Sequence, residues 1–202
     1  MLDTYGRKYL DKYFDKTAEF LLRLNFVPTH ITVIALLIGL FACFQYYFNH
    51  TFISLILLWF SGYLDAVDGT MARKSKSITK TGTLLDIFFD RVVELVFIIV
   101  FALKHSDATF ALLCLSCTIV LSMSVFLTSG MLLENKGKKS FHYQAGLMER
   151  TEGFIMFTVM MVFNSFMKEL SFLYAALILF TAGQRLIETI KNLEEKNEKS
   201  KC

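Results

Sequence analysis

Runs of apolar residues broken by short polar stretches set the plan of this chain. Six follow one another: Ile31 to Phe48, Phe52 to Ala72, Thr83 to Leu103, Thr109 to Leu133, Gly153 to Met167 and Leu170 to Ile190. Each approaches the ~20 residues with which a helix crosses a bilayer; the fifth is short and can begin earlier, near Glu149. The segment ahead of them, Leu2 to Leu24, has a different pattern. Tyr5, Tyr9, Tyr13, Phe20 and Leu24 recur at helical spacing, and Lys8, Lys12, Lys16 and Arg23 alternate with Asp3, Asp11, Asp15 and Glu19. That pattern predicts an amphipathic helix lying in the headgroup plane, aromatic side down. Asn25 to His30 breaks it, and Pro28 suits the first turn of the next helix. After Leu193 the chain is charged and loses apolar periodicity, which predicts a disordered tail. The expected fold is an all-α integral membrane protein: an interfacial helix over 1–24, six transmembrane helices over 25–192, and a tail over 193–202.

Composition agrees with this plan. The 202 residues are 54% hydrophobic, with 21 Phe against one Pro. Their mean hydropathy is +0.49, too high for a soluble domain. No nucleic-acid motif is present. The net charge of +3 matters less than its distribution. Lys8, Lys12, Lys16 and Arg23, then Arg73, Lys74, Lys76 and Lys80, then Lys136, Lys138 and Lys139, then Lys191 and the tail fall on one side of the predicted spans. Lys104 and Lys168 fall on the other. The positive-inside rule therefore places both termini on the cytoplasmic side of the cell membrane. Cys43, Cys114, Cys117 and Cys202 give no disulfide framework; Cys114 and Cys117 are read as buried small residues of the fourth span rather than a redox pair. The Ser- and Thr-rich fourth span is expected to pack closely against a partner helix.

Acidic residues interrupt the pattern where they are most expensive. The stretch Ser61 to Arg91 carries Asp65, Asp68, Asp86 and Asp90 at the ends of two apolar runs. A carboxylate beside hydrocarbon is usually there for function. Asp65 and Asp68 are three apart, and Asp86 and Asp90 four apart, so on helices each pair shares a face. Two helices joined by the polar stretch Lys74 to Thr81 can bring all four together. Four like charges need a cation, and an all-oxygen set favours a hard divalent ion, Mg²⁺ before Zn²⁺. Two such ions suit phosphoryl chemistry on a diphosphate. Arg73 offers a planar fork for a phosphate. Gly69 and Gly82 let a bulky ligand approach the backbone.

The residues Asp65-x-x-Asp68-Gly69-x-x-Ala72-Arg73, an eight-residue gap, then Gly82-x-x-x-Asp86-x-x-x-Asp90 resemble the signature of the CDP-alcohol phosphotransferases, with every position filled. The resemblance implies a six-helix membrane enzyme, usually a homodimer, that uses a CDP-activated alcohol and Mg²⁺ or Mn²⁺, two ions in all. It implies that Asp65, Asp68 and Asp86 hold the metals. It implies that Asp90 touches a metal and acts as general base on the acceptor hydroxyl. It also assigns Gly69, Ala72, Arg73 and Gly82 to the nucleotide diphosphate pocket. Many members carry Pro-Asn where this chain has Pro28-Thr29, so any contact made by that Asn is in doubt here.

The implied reaction moves a phosphatidyl group from CDP-diacylglycerol, or a related CDP-linked lipid, to a small polar alcohol and releases CMP. Arg150 and Arg185, with a lysine among Lys136, Lys138 and Lys139, are candidates for a second anion site. Members with phosphorylated acceptors are similar in these late regions, which points to glycerol-3-phosphate or an inositol phosphate. Alternatives are serine or another unphosphorylated alcohol, and hydrolysis of the CDP-lipid by water. A cation transporter would place its acidic groups near the bilayer midplane rather than at a basic edge.

Overall fold

A computed structural model describes residues 2–132 and 147–199, with side chains described for 11–132 and 147–194. Lys136, Lys138, Lys139 and residues 200–202 lie outside the described residues. The chain is all helical there: α1 (Leu2–Arg23), α2 (Pro28–Tyr47), α3 (Thr51–Lys74), α4 (Lys80–Lys104), α5 (Thr109–Leu132), α6 (Arg150–Val162) and α7 (Met167–Lys199), with 3₁₀ turns at Ser106–Ala108 and Asn164–Phe166.

The first three helices stop in the same way. Asn25, Asn49 and Lys76 take left-handed backbone angles, φ 61°, 66° and 53°. Behind each, two amides turn back onto the last turn: Asn25 N to Leu22 O with Phe26 N to Leu21 O, Asn49 N to Tyr46 O with His50 N to Gln45 O, and Lys76 N to Arg73 O with Ser77 N to Ala72 O. This is the Schellman arrangement, which satisfies carbonyls that a helix end leaves open. Asn tolerates the left-handed region; Lys76 occupies it without that advantage. Thr79 restarts the chain, its hydroxyl accepting from Gly82 N at 3.0 Å.

Polar contacts and glycine gaps set the bundle. Ser54 and Ser61 on α3 donate to the α2 carbonyls of Ala42 and Ala35, both at 2.7 Å. Gly39 lets α4 close in: a Cβ there would lie 2.8 Å from Val93 Cγ2. Phe97, Phe101, Phe157 and Tyr174 fill the centre between α4, α6 and α7. α5 runs against α7, where Ser129 and Thr189 share a 2.7 Å hydrogen bond. Ser116, Ser124 and Thr128 instead bond carbonyls of their own helix. α1 docks on α3 through Phe14 and Ala18, with Thr17 and Tyr63 hydroxyls 2.6 Å apart.

Among the described residues, four segments are long and apolar enough to cross a membrane: Pro28–Tyr47, Thr51–Lys74, Ser106–Leu132 and Asn164–Glu194. Leu84, Phe88, Ile99, Phe110 and Leu121 are exposed on the outside of the bundle, as expected where lipid is the solvent. α4 has the length, at 25 residues, but carries Asp86, Asp90, Arg91 and Glu94 within its run. α6, at 13 residues, spans about 20 Å at 1.5 Å per residue.

Three expectations need correction. The fifth run does not extend to Met167: α6 begins at Arg150, and the chain turns at Asn164–Phe166, where Asn and Ser favour turns over helix. The tail does not lose structure at Leu193, since α7 continues to Lys199; Glu and Lys are strong helix formers and can extend an established helix. Cys114 is half-buried and Cys117 exposed, so neither is buried.

Candidate active site

The carboxylates sit well inside the helices that carry them. Asp86 and Asp90 are six and ten residues from the start of α4, about 9 and 15 Å along its axis. Asp65 and Asp68 are set back comparably from the end of α3. Asp65 and Asp68 are buried, at 7% and 5% exposure, and Asp86 is half-buried. One carboxylate oxygen from each of Asp65, Asp68 and Asp86 lies within 4.8 Å of the others. The spacings of three and four thus do bring two helical faces together, and three of the four aspartates converge directly.

Asp90 joins through a residue from another helix. Arg150, the first residue of α6, ion-pairs with Asp65 Oδ2 through Nη1 and with Asp90 Oδ1 through Nη2, the latter at 2.5 Å. Its guanidinium carbon also lies 5.9 Å from the centre of the Phe154 ring, one turn along α6. A single arginine therefore links the α3 acids to the second acid of α4.

The donor set fits a hard cation. Every candidate ligand atom in the cluster is oxygen. Asp68 Oδ2 is buried and has no hydrogen-bond partner among the described residues. A buried carboxylate oxygen left in that state calls for a ligand that the protein does not itself provide.

The remaining signature residues line the open end. Arg73 is exposed, and its Nη2 donates to Thr70 Oγ1 at 2.8 Å. A Cβ at Gly69 would meet Arg73 Nη1 at 3.5 Å, an ordinary contact. Ala72 is half-buried between them in sequence. Gly82 has a local duty: its amide bonds the capping Thr79 hydroxyl, and a Cβ would crowd that oxygen at 3.1 Å. Arg185 is buried on α7, its guanidinium carbon 5.2 Å from the centre of the Phe126 ring.

The chain as a whole is similar to known proteins. The sequence pattern described as CDP-alcohol phosphatidyltransferase matches residues 25–183. The chain belongs to the CDP-alcohol phosphatidyltransferase family. It is an enzyme of that class, a transferase of phospholipid biosynthesis. It is 30% identical over 183 residues to the archaetidylinositol phosphate synthase of Pyrococcus horikoshii, covering 89% of this chain and 92% of the relative. A shorter match, 36% over 74 residues, links it to the bifunctional IPC transferase and DIPP synthase of Aquifex aeolicus, covering 37% of this chain and 17% of that protein. Its fold is similar to the crystal structure of Mycobacterium tuberculosis phosphatidylinositol phosphate synthase with CDP-DAG bound, at a TM-score of 0.72 and 20% identity over 88% of this chain and 94% of that one. A second structure of the mycobacterial enzyme, in complex with manganese and citrate, matches at a TM-score of 0.70 with 20% identity, covering 87% of this chain and 88% of that one.

Two parts of this phosphatidyltransferase site were not read from its sequence. Arg150 was expected as an acceptor contact, not as the counter-ion of Asp65 and Asp90. Glu94, one turn beyond Asp90, ion-pairs with Arg91 and lies 3.5 Å from the Tyr174 hydroxyl. The signal for Glu94 was available: Asp86, Asp90 and Glu94 recur every four residues along one helical face.

Proposed function

We propose that this enzyme transfers a phosphatidyl-type group from CDP-diacylglycerol, or a related CDP-linked lipid, to a small alcohol that itself carries a phosphate. An inositol phosphate is the preferred acceptor and glycerol-3-phosphate the second. One observation carries this reading: the Arg150 guanidinium lies directly beside the Asp90 carboxylate. An acceptor whose phosphate is held by Arg150 brings its hydroxyl into reach of Asp90, which is the geometry that a general base requires. The inositol phosphate products named for the Pyrococcus and mycobacterial proteins support the same choice.

The roles follow from position. Asp65, Asp68 and Asp86, with Asp90 at the edge, would hold two Mg²⁺ or Mn²⁺ ions. Such ions supply positive charge that neutralises a diphosphate and its leaving group. Arg73 binds a phosphate of the CDP moiety, and Gly69 and Ala72 leave room for it. Gly82 shapes the start of α4 beside that pocket. Asp90 takes the proton of the acceptor hydroxyl as its oxygen bonds to the lipid-bearing phosphorus. The bond from that phosphorus to the CMP oxygen breaks, and CMP leaves with the electron pair. Arg150 orients the acceptor, and Arg185 is proposed as a second acceptor contact.

The wider organisation belongs to this proposal. Six spans, α2 to α7, cross the cell membrane, with both termini and the aspartates facing the cytoplasm. α1 lies at the interface: Phe14 and Ala18 face the bundle while Tyr13, Phe20 and Leu24 remain exposed for lipid. The enzyme works as a homodimer.

The test is Arg150→Gln, assayed by CMP release from CDP-diacylglycerol with Mg²⁺ and a panel of inositol phosphate, glycerol-3-phosphate and serine. A hydrogen bond to a charged group contributes about 1.5–3 kcal/mol. The acceptor KM should rise roughly 10- to 150-fold while the donor KM moves much less. An unchanged acceptor KM, or wild-type turnover with serine alone, would reject the phosphorylated acceptor. CMP release without any alcohol would point to hydrolysis.

A further inference from the structure

Arg150 reaches Asp65 and Asp90 from the first turn of α6, so the depth and rotation of α6 set where its side chain starts. Close approaches just inside Arg150 fix that stance. On the α3 side, the Phe154 ring lies over Gly62, where a Cβ would come within 2.6 Å of its edge. On the α7 side, the Tyr174 hydroxyl lies against Gly153, where a Cβ would come within 2.9 Å of the oxygen. Tyr174 has little freedom to yield. It is 3% exposed, and its ring stands edge-on to Phe157 with centroids 5.8 Å apart. Its hydroxyl makes a long hydrogen bond, 3.5 Å, to Glu94, which Arg91 holds by an ion pair. Gly153 is three residues after Arg150 and Glu94 four after Asp90, so this chain of contacts runs one turn beneath the Arg150–Asp90 pair.

We propose that Tyr174 is a positioning residue for the acceptor: its hydroxyl, held by Glu94 and seated on Gly153, sets α6 so that Arg150 presents its guanidinium beside Asp90. The proposal rests on the transferase reading above, with an anionic acceptor. It accounts for a tyrosine where phenylalanine would fill the same apolar space, and for a glycine in the first turn of α6.

The experiment is a cycle of Gly153→Ala, Tyr174→Phe and the double variant. The added methyl at 153 displaces α6, and a misplacement of 1 Å can cost up to roughly 100-fold in rate. Gly153→Ala should therefore lower kcat and raise the acceptor KM, with the donor KM unchanged. Removing the Tyr174 hydroxyl makes room for the methyl, so the double variant should be no worse than Tyr174→Phe alone. Effects that simply add, or that weaken donor and acceptor alike, would reduce Tyr174 to a space-filler and overturn the proposal. A second measurement does not depend on the acceptor. Arg150 opposes a cation on the carboxylates that it pairs with, so Arg150→Gln should tighten Mn²⁺ binding measured by electron paramagnetic resonance. Gly153→Ala should shift Mn²⁺ affinity the same way, and add nothing in the Arg150→Gln background. An unchanged affinity, or an equal shift with and without Arg150, rejects the positioning role. Failure of the wild type to use any phosphorylated alcohol rejects the acceptor reading instead. Should Gly153→Ala not fold, Tyr174→Phe carries the same cycle: it must raise the acceptor KM and move Mn²⁺ affinity only when Arg150 is present, and unchanged values overturn it.

Discussion

The two ends of α4 hold charge in opposite ways. At its last residue, the Lys104 ammonium donates to Tyr46 O and to Asn49 Oδ1, each at 2.7 Å, and stands 4.5 Å from the centre of the Tyr46 ring. Its acceptors belong to the closing turn of α2, so the contact joins two helix ends. In its first half, Asp86 and Asp90 face Asp65, Asp68 and the paired Arg150. There Asp68 Oδ2 is buried with no hydrogen-bond partner among the described residues. Both arrangements set charged groups among apolar helices, and only the first is complete. A charge whose partners are all supplied by the fold is a structural joint. A set of like charges that the fold leaves uncompensated is a place for a ligand.

The largest expected effect tests the incomplete end. Asp68→Asn removes one charge from a crowded acidic cluster, so folding should suffer little and can gain from weaker repulsion among the acids. Turnover should fall on the order of 100-fold or more, since even the partners of metal ligands cost that much when changed. Asp65→Asn, Asp86→Asn and Asp90→Asn should also lose most activity, and excess chelator should abolish it in the wild type. Thermal melts beside CMP-release assays separate the two consequences. Full activity in chelator, or in any two of these variants, would leave the acidic cluster without its proposed role.

The contrast also marks what the chain discloses in one dimension. Asp65, Asp68, Asp86 and Asp90 were legible because helical spacing is local: residues three and four apart share a face wherever the helix goes. The positions of α2 to α5 were legible from local pattern too, through long, mainly apolar runs. Arg150 as counter-ion was not, because its seat depends on how α6 docks on α3 and α7, contacts separated by 85 residues between Arg150 and Asp65. The end of α6 was misplaced because Phe163 and Phe166 continue the apolar run through a turn made by Asn164 and Ser165. Phe126 under Arg185 is likewise a partner that only packing supplies.

A medium effect should separate the complete end from the incomplete one. Lys104→Met keeps the aliphatic stem but removes both hydrogen bonds. Bonds to a charged group contribute about 1.5–3 kcal/mol, less where solvent reaches them. A loss of about 1 kcal/mol corresponds to a fall in Tm of roughly 2–4 °C for a chain of this size. Donor and acceptor KM should stay at their wild-type values. A change in either KM without a change in Tm would mean that the Lys104 end communicates with the site, and the division between joint and ligand site would fail.

The smallest effect concerns a third kind of charge, one that is paired but open to solvent. Lys74 at the end of α3 lies 2.7 Å from Glu19 and 3.2 Å from Asp15 on α1. The hydrogen bond and charge of Lys74 hold the Glu19 carboxyl below its ordinary pKa. A carboxyl depressed in the folded state stabilises that state above its unfolded pKa, and this contribution is lost as pH falls through the lower folded value. For Glu19 the loss therefore begins near pH 4.3, the ordinary value for Glu, and completes below it. Exposed pairs contribute little and are screened by salt. Glu19→Gln should accordingly destabilise the docking of α1 slightly at pH 7 and low salt, with the difference from wild type vanishing once pH has fallen through the depressed folded value, or in high salt. Hydrogen exchange of the α1 amides reads this directly, because global melting averages it away. Faster α1 exchange in Glu19→Gln at every pH and salt concentration would show that Glu19 acts through packing rather than charge. Unchanged exchange at pH 7 and low salt would show that the Lys74–Glu19 pair adds nothing measurable to the docking of α1 on α3.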